Sequence, residues 1–395
     1  MSAPNLAGGA ACFAPHAPTL SRAQVPGGIA LVLHDLRGGG AERACLRLAR
    51  GMAASGRQVD LILVRGEGAY LSQIPAGVTL TVLDRPRVSQ AIWALARHFR
   101  RTRPKAILSA LTHMNIATIL AARLAGVASR VVISERNQIS AKARDARTRW
   151  QQALYRAVPF VYGAADKVVA VSAGVASDLS QFGRLPDGKV RVIHNPVFDP
   201  DIAALSRQPA AHSWFAPGGP PIILAVGRLH RQKGFDVLLE AFAKARAETD
   251  CRLVILGEGP ERAALAAQSE RMGLAYDIDM PGFCENPFPL MARAGVFVLS
   301  SRWEGFPNAL VEAMACGAPV IATDCPSGPH EILDGGRIAP LVPVDDADAL
   351  SRALLATLSS PPDTTRAQAR AQMSRAQMFS VSAAADQYLA ALEQT

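Results

Sequence analysis

Short runs of apolar, often β-branched residues alternate along the chain with longer segments of helical periodicity. In the first half, the apolar runs predict strands at 28–34, 58–64, 78–83, 106–110, 130–134, 167–171 and 190–193. Parallel strands that are buried on both faces have this continuous apolar character, and helices connect them. The alternation therefore predicts a parallel sheet covered by helices on both sides.

A second series of the same kind follows a break in the pattern. From residue 197 to 221 the chain is rich in Asp, Pro, Ala, Ser and Gly, and apolar runs then recur at 222–226, 253–256, 296–299 and 319–323. We predict an α/β protein with two Rossmann-like, doubly wound domains that face each other across a cleft. The predicted boundaries are an N-terminal domain over 26–200, a linker over 201–220, a C-terminal domain over 221–378 and a last helical segment over 379–395.

Composition agrees with a globular protein of two domains. Of the 395 residues 49% are hydrophobic and 19% are charged, and the six cysteines are scattered, as expected for small core residues in a reducing compartment. Residues 1–25 lack a basic n-region and predict a disordered tail. Since no run approaches the roughly 18 apolar residues of a membrane-spanning helix, we expect a cytoplasmic protein.

The net charge of +9 indicates an acidic partner, which could be nucleic acid, a nucleotide or an anionic membrane. Two basic segments, 85–105 and 142–156, carry much of this charge. In the first, Val88, Ile92, Leu95 and Phe99 share one helix face, which either packs on a core or lies on the inner-membrane surface as part of a peripheral protein. No nucleic-acid-binding signature accompanies these charges, so we expect no nucleic acid partner.

Two carboxylates and two cations stand at the ends of strands in the second half. Glu304 lies in a loop after an apolar run, and Glu312 lies in the first turns of the following helix. A helix N-terminus attracts a phosphate, and carboxylates accept hydrogen bonds from sugar hydroxyls, so the spacing suits a nucleotide sugar. Arg228 and Lys233 lie on another strand-to-helix loop, where they either hold one anionic group or form a solvated basic loop.

The first half also places candidate residues after its strands. Gly38–Gly40 follow the first strand and either let a ligand approach the backbone or form a plain tight turn. Polar residues follow other strands: His34, His113, Asn115, Glu135, Arg136 and Asn137. Because ligands of parallel sheets bind beyond the carboxyl ends of the strands, these residues are expected to line one rim.

Several strings resemble a known family. EGFPNALVEAMACGAPVIAT (304–323) with SGPHEIL (327–333) is similar to the donor-binding signature of the retaining glycosyltransferases of family 4, a large group with the GT-B fold. GRLHRQKGF (227–235) and GGGAER (38–43) resemble other loops of the same family. The strings SERN, HNP and CPSGP look most like enzymes that extend lipid-linked oligosaccharides in bacterial surface-glycan or glycoprotein pathways.

The resemblance implies an activity and roles for particular residues. It implies retaining transfer of a hexose or N-acetylhexosamine from a nucleotide diphosphate sugar, with UDP as the expected nucleotide, to a polyprenyl-diphosphate-linked glycan. The implied catalytic residues are Arg228 and Lys233 on the diphosphate and Glu304 on the sugar, and Glu312 would hold the ribose. The other implied donor-binding residues are Gly39, Gly40, Gly227, Gly305, Phe306, Asn308, Ala309 and Leu310.

The acceptor side departs from the family pattern. Some members have a His on the N-terminal rim after the fourth strand, and we place Ser134–Arg136 near that position. Glu135 or His113 then substitutes for it, and Arg136 is a further candidate for acceptor or sugar contacts. The family also implies that the last helix, 380–392, packs back on the N-terminal domain.

We expect no cofactor and no metal ion. Metal-using transferases need an Asp-x-Asp pair that faces the diphosphate, and the pairs Asp199/Asp201, Asp277/Asp279 and Asp346/Asp348 fall elsewhere in the pattern. Positive side chains would replace the ion. The alternatives to a transferase are a GT-B nucleotide-sugar epimerase, an inactive sugar-nucleotide-binding protein and a basic nucleic-acid-binding protein.

Overall fold

The N-terminal domain is built on a seven-stranded parallel sheet in a computed structural model that describes residues 27–393. The predicted tail at 1–25 lies outside the described residues. The strands are β1 (Ile29–Leu33), β2 (Val59–Leu63), β3 (Val78–Val82), β4 (Ala106–Ala110), β5 (Arg130–Glu135), β6 (Lys167–Ala170) and β7 (Val190–Val192). Their order is β3-β2-β1-β4-β5-β6-β7, so the sequence-based prediction of a parallel sheet is confirmed.

Helices cover both faces of this sheet. They are α1 (Gly40–Ala54), α2 (Val88–Thr102), α3 (Thr112–Ala125), α4 (Ile139–Arg144), α5 (Arg149–Val161) and α6 (Ala173–Gln181). All five residues of β1 and of β4 are buried because side chains on both faces meet a layer of helices.

The C-terminal domain repeats the plan with six parallel strands. They are β8 (Ile222–Val226), β9 (Arg252–Leu256), β10 (Ile278–Gly282), β11 (Val296–Leu299), β12 (Val320–Thr323) and β13 (Leu341–Val342), in the order β10-β9-β8-β11-β12-β13. The apolar pattern of the sequence predicts no bounds for β10 and β13. The first contains Pro281 and the second has only two residues, so neither has the long apolar run that marks a buried strand.

Nine helices of the described chain belong to the second half. The helices α7 (Asp201–Ser206), α8 (Phe235–Glu248), α9 (Arg262–Arg271), α10 (Phe288–Met291), α11 (Asn308–Ala315), α12 (Pro329–Ile332), α13 (Ala347–Leu358), α14 (Pro362–Gln377) and α15 (Val381–Glu393) follow in chain order. The stretch predicted as a linker, 201–220, contains α7, which packs on α10. Its six residues are too few to show helical periodicity, and the Asp and Pro near its start are also typical of a linker.

The last two helices lie on different domains. α14 packs on α11, and α15 packs on α1 of the N-terminal domain, where Tyr388 is fully buried. The chain passes between the domains twice, first after Phe198 and again at Phe379. The two crossings are adjacent, because the amides of Val197 and Phe198 both donate to the carbonyl of Phe379 at 2.9 Å. The two domains are therefore joined by two adjacent stretches of backbone.

The structure shows what covers the apolar face of helix α2, for which the sequence left a protein core or a membrane surface as alternatives. Its apolar face packs on α3 and the sheet, with Leu95 and Phe99 fully buried and Val88 and Ile92 half-buried. The apolar stripe is thus a core face, and only the opposite face, with Trp93 and the arginines, is open to a partner. Among residues 27–393, no helix combines the length and the apolar character that crossing a bilayer requires.

Candidate functional site

The two sheets reverse their strand order at matching places. In the N-terminal sheet the reversal lies between β1 and β4, and in the C-terminal sheet it lies between β8 and β11. The loops that leave these strands carry the predicted residues: Gly38–Gly40 after β1, His113 after β4, Arg228 and Lys233 after β8, and Glu304 after β11. Ligands of open α/β sheets bind at such crevices, so the topology brings the candidates to one place.

Lys233 and Glu304 pair with each other. The Lys233 Nζ lies 2.5 Å from the Glu304 Oε1, and the Ser301 hydroxyl donates to the same oxygen at 2.7 Å. The two loops are tied further because the Gln232 side chain donates to the carbonyl of Trp303 at 2.8 Å. Arg228 is exposed and forms no ion pair or side-chain hydrogen bond with the described residues. In the described part of the chain, the loop after β8 therefore carries one unpaired cation, Arg228, and one paired cation, Lys233.

Glu312 is buried between the domains. Its side chain is only 6% exposed, and its Oε1 lies 2.9 Å from Arg47 and 3.7 Å from Arg43, both on α1 of the opposite domain. Neither Oε1 nor the nearby Arg47 nitrogen has an aligned hydrogen bond within the described chain. The charge of Glu312 is thus compensated, and one of its oxygens still lacks a hydrogen-bond donor.

The glycine loop meets the start of α11 directly. The Asn308 side chain donates to the carbonyl of Gly40 at 2.8 Å and accepts from Asn195 at 2.8 Å. A side chain at position 40 would put its Cβ 3.3 Å from the Asn308 amide, so glycine permits this close contact. Gly39 lies beside the Glu42 side chain, which bends back over the helix start. The glycine loop therefore forms the wall of the cleft that faces the C-terminal domain.

Gly305 is another place where the two domains lie close together. An added Cβ would collide with the carbonyl of Arg136 and approach the Asn137 Cα at 2.9 Å. Gly227 has a similar position against Lys233, whose Cε would lie 3.2 Å from an added Cβ. Small residues therefore let the β8 and β11 loops fit closely against their neighbours.

Three of the implied donor-binding residues point elsewhere or act through the backbone. The Phe306 ring is packed against His194 and Phe379, with centroids 5.3 and 5.2 Å away. Leu310 is fully buried in the core. Ala309 follows Asn308 at the start of α11, and the amides of both residues make no hydrogen bond within residues 27–393. These free amides can bind an anion.

His113 lies beside His34 and Asp35 on the N-terminal rim. The His34 and His113 rings meet edge to face at 5.5 Å, and the His34 Nδ1 lies 2.6 Å from the Asp35 carboxylate. Burial and the neighbouring His34 lower the pKa of His113 to about 4, while Asp35 opposes the shift. At neutral pH His113 is therefore uncharged and can accept a hydrogen bond from a hydroxyl.

Ser134–Arg136 lie near the end of the fourth strand in space but belong to the end of the fifth. The fourth strand, β4, ends at Ala110 and is followed by His113, whereas Ser134 and Glu135 end β5. His113 is thus the histidine that follows the fourth strand, as one of the two expected substitutes.

Glu135 and Arg136 are buried inside the N-terminal domain. Glu135 accepts hydrogen bonds from the Tyr162 hydroxyl at 2.7 Å and the Thr112 hydroxyl at 3.0 Å, and its burial raises the pKa of the carboxyl. The Arg136 guanidinium donates to the side chains of Asn195 and Cys45. Since Asn195 in turn donates to Asn308, the Arg136 guanidinium is linked to the cleft indirectly, through Asn195.

Family models match both domains. A model described as "Glycosyltransferase Family 4" matches residues 38–201, and one described as "Glycosyl transferases group 1" matches residues 220–360. The chain belongs to glycosyltransferase family 4.

Two relatives of this family 4 chain are named as bacterial glycosyltransferases. It is 32% identical over 197 residues to an N-acetylgalactosamine-N,N'-diacetylbacillosaminyl-diphospho-undecaprenol 4-alpha-N-acetylgalactosaminyltransferase of Campylobacter jejuni, which covers 50% of this chain and 52% of the relative. It is 29% identical over 224 residues to the lipopolysaccharide core biosynthesis glycosyltransferase LpsE of Rhizobium meliloti, over 57% of this chain and 63% of the relative. The matched parts span about half to three fifths of these proteins.

Solved structures share the whole fold. Anabaena HepE in complex with UDP and glucose superposes with a TM-score of 0.75 at 21% identity, covering 93% of this chain and 99% of HepE. WaaG, a glycosyltransferase involved in lipopolysaccharide biosynthesis, gives a TM-score of 0.72 at 16% identity over 93% of this chain and 100% of WaaG. The family 4 chain therefore has the GT-B fold.

The sequence predicted no role for several residues of this family 4 cleft, although Glu42, Arg43 and Asn195 lie within the GGGAER and HNP strings. Arg43 and Arg47 hold Glu312, Asn195 holds Asn308, and Glu42 lies against Gly39. Arg43 and Arg47 are four residues apart in the helix after the glycine loop, so they lie on one helix face. That spacing was a usable signal for a shared anionic partner, but nothing local identified the partner as Glu312.

The ion pair between Arg47 and Glu312 predicts strong energetic coupling. In a double-mutant cycle with Arg47→Ala and Glu312→Ala, we expect a coupling of about 1–3 kcal/mol, because the single Arg47 variant leaves a buried carboxylate with a more distant partner. Urea unfolding without nucleotide measures it. The exposed pair Arg57–Glu393 is the control, with an expected coupling of at most about 1 kcal/mol. Equal coupling at the two pairs would contradict the assignment.

His113 predicts a pH-dependent stability. Its folded pKa of about 4 lies below the usual 6.5, so the unfolded chain takes up a proton as the pH falls while the folded chain does not. Between pH 7 and pH 5 this should cost the wild type about 2 kcal/mol of stability that His113→Gln does not lose. Unfolding at both pH values measures the difference. His330→Gln, at an exposed histidine, should retain the wild-type dependence, and a parallel pH response of His113→Gln would refute the prediction.

Proposed function

We propose that this protein is a retaining glycosyltransferase. It transfers a hexose or N-acetylhexosamine from a nucleotide diphosphate sugar, with UDP as the expected nucleotide, to a lipid-linked saccharide in bacterial glycan biosynthesis. The observation that carries the proposal is the convergence of the Lys233–Glu304 pair, the free Arg228 and the buried Glu312 at the facing switch points of the two sheets. The name of the Campylobacter relative supports the lipid-diphosphate acceptor.

The donor would lie mainly on the C-terminal domain. Glu312 would hold the ribose, because its Oε1 pairs with Arg47 without an aligned hydrogen bond and can accept one from a hydroxyl. Arg228, Lys233 and the free amides at the start of α11 would bind the diphosphate. Glu304 would then accept hydrogen bonds from sugar hydroxyls, with Lys233 and Ser301 holding its carboxylate in place.

The chemistry would proceed on one face of the sugar. The acceptor hydroxyl oxygen forms a bond to the anomeric carbon while the bond from that carbon to the phosphate oxygen breaks, and the hydroxyl proton moves to the departing phosphate. Glu304 is held by Lys233, and Glu135 is enclosed with Tyr162 and Thr112, so neither is placed as a free nucleophile. Negative charge grows on the leaving diphosphate, where Arg228 and Lys233 stabilise it.

The acceptor would approach from the N-terminal domain. His113 is neutral at pH 7 and can accept a hydrogen bond from a sugar hydroxyl. We propose that the reaction needs no cofactor and no metal ion, because the cationic side chains supply the positive charge that a metal supplies in other transferases.

We also propose that the outer face of α2 and α5 binds the cytoplasmic surface of the inner membrane. Trp93, Trp150 and Phe160 are 68%, 63% and 84% exposed there, and exposed arginines lie on the same helices. Amphipathic aromatic rings beside cations suit an anionic lipid surface. This arrangement would bring a lipid-linked acceptor to the cleft from the membrane.

Removal of the paired groups should slow sugar transfer. We expect Lys233→Ala and Glu304→Gln each to lower kcat/KM by at least about tenfold, or roughly 1.4 kcal/mol of transition-state stabilisation. A screen of nucleotide sugars for hydrolysis or thermal stabilisation identifies the donor, and kinetics with that donor measure the effect. Arg231→Ala, an exposed cation on the same loop, should remain close to wild type. Unchanged rates in both site variants would refute the assigned roles.

Loss of exposed arginines should weaken membrane binding. Arg97, Arg101 and Arg103 are exposed on α2 or at its end, whereas Arg100 caps α3 through the carbonyls of Leu124 and Ala125 and is left intact. We expect the triple Gln variant to bind phosphatidylglycerol vesicles at least about tenfold more weakly, since each cation near such a surface contributes about 1 kcal/mol. Co-sedimentation measures it.

The control for the vesicle experiment has the same change in charge. Arg271, Arg352 and Arg370 are exposed on the C-terminal domain, and their triple Gln variant should bind like the wild type. If the two triple variants lose binding equally, net charge and not this face is responsible. If the wild type does not bind anionic vesicles, the membrane proposal is wrong.

A further inference from the structure

Lys142 lies on a short segment that spans the cleft. In the sequence it belongs to the basic segment 142–156, but the structure separates it from α5, which begins after the capping residue Thr148. Helix α4, which carries Lys142, is fixed at its start because the Asp178 carboxylate accepts hydrogen bonds from the amides of Ile139 and Ser140 at 2.6 and 3.1 Å. Lys142 is therefore held by the N-terminal domain and is not part of the exposed helix.

Both ends of this segment touch loops that carry proposed donor-binding residues. Before α4, the backbone of Arg136 and Asn137 lies directly against Gly305, next to Glu304. After α4, the Asp145 carboxylate lies 4.0 Å from the His230 ring, on the loop that also carries Arg228 and Lys233. Lys142 is between these two contacts, so its position is fixed relative to both loops.

The side chain of Lys142 has no partner in the described protein. It is half-buried, and within residues 27–393 its amine makes no hydrogen bond and no ion pair. Burial lowers the pKa of Lys142, while the charges of Asp145 and Glu304 oppose this effect and Arg228 adds to it. Its electrostatic neighbours thus include the proposed sugar-binding acid and a proposed diphosphate-binding cation.

A partly desolvated amine without a partner is unfavourable, and an anion in the cleft would relieve it. Of the carboxylates nearby, Glu304 is engaged by Lys233 and Ser301, and Glu135 by Tyr162 and Thr112. Asp145 lies 4.0 Å from the His230 ring and forms no ion pair with Lys142 among the described residues. A phosphate group has several acceptor oxygens and carries negative charge, and it could be shared with Arg228. The chemistry of the neighbourhood favours a phosphate ligand.

We propose that Lys142 binds a diphosphate group in the cleft and is the contribution of the N-terminal domain to the cations that hold it. The inference rests on the proposed glycosyl transfer. Arg228 and Lys233 approach the diphosphate from the C-terminal domain, and Lys142 approaches it from the opposite wall. Binding therefore draws on both domains at once. If this diphosphate belongs to the donor, the amine also donates a hydrogen bond to an oxygen on which charge increases as the bond to the sugar breaks.

Two diphosphates could supply the ligand: that of the nucleotide donor and that of a polyprenyl-linked acceptor. Lys142→Met removes the charge and retains most of the length, Lys142→Arg retains the charge, and Arg144→Met is the matched control at an exposed cation two residues away. Calorimetry with UDP and UMP, and kinetics with a polyprenyl-diphosphate-linked acceptor, distinguish the two sources. Thermal unfolding of each variant establishes that it is folded.

If the donor is the source, Lys142→Met should bind UDP about tenfold or more weakly than the wild type, with a much smaller change for UMP, because it loses one charge-assisted contact. If the acceptor is the source, UDP affinity is retained and the KM for the lipid-linked acceptor rises by a similar factor. In both cases Lys142→Arg should recover most of the loss and Arg144→Met should behave like the wild type.

Three outcomes would overturn the role of Lys142. If Lys142→Met binds UDP as the wild type does and its acceptor KM is unchanged, Lys142 does not bind a diphosphate, and the proposed function is unaffected. If UDP and UMP weaken equally in a folded variant, the effect lies in the shape of the cleft and the inference also fails. If the wild type binds no nucleoside diphosphate and transfers no sugar, the proposed function fails first and the inference fails with it.

Discussion

Parallel pairing of the strands organises both domains and places their candidate site residues. Parallel pairing sends every strand end of a domain to one edge, and the reversal of strand order opens a crevice there. Two such edges face each other in this chain, with the loops after β1 and β4 opposite those after β8 and β11. Residues that are 268 positions apart, Gly40 and Asn308, thereby come into contact.

Charge compensation is the second principle of the cleft. Lys233 neutralises Glu304 within the C-terminal domain, and Arg47 neutralises Glu312 from the N-terminal domain. Unpaired carboxylates in a partly desolvated cleft would be costly, so without substrate the protein pairs these two acids with its own cations. Binding of a nucleotide sugar would exchange some of these partners for phosphate and hydroxyl groups. The cost of separating the internal pairs then becomes part of the affinity and of the specificity.

The pattern of apolar runs predicted most of the strands, and the two that it omitted, β10 and β13, lack such a run for physical reasons. Strands such as β1, β4, β8 and β11 are buried on both faces and therefore have continuous apolar runs, whereas β10 contains a proline and β13 has two residues. The amphipathic pattern of α2 predicted a helix with one buried face. It could not say whether a core or a lipid surface covers that face, because both present the same apolar environment to a helix.

The amino-acid sequence predicts the alternation of strands and helices, the two-domain plan and the four residues Arg228, Lys233, Glu304 and Glu312 as a group. These are local properties: periodicity within an element and short motifs at its end. The tertiary structure shows that Arg47 is the partner of Glu312 and that the segment carrying Lys142 touches the loops after β8 and β11. Such contacts depend on how two separately folded domains are placed, which no local pattern of side chains records.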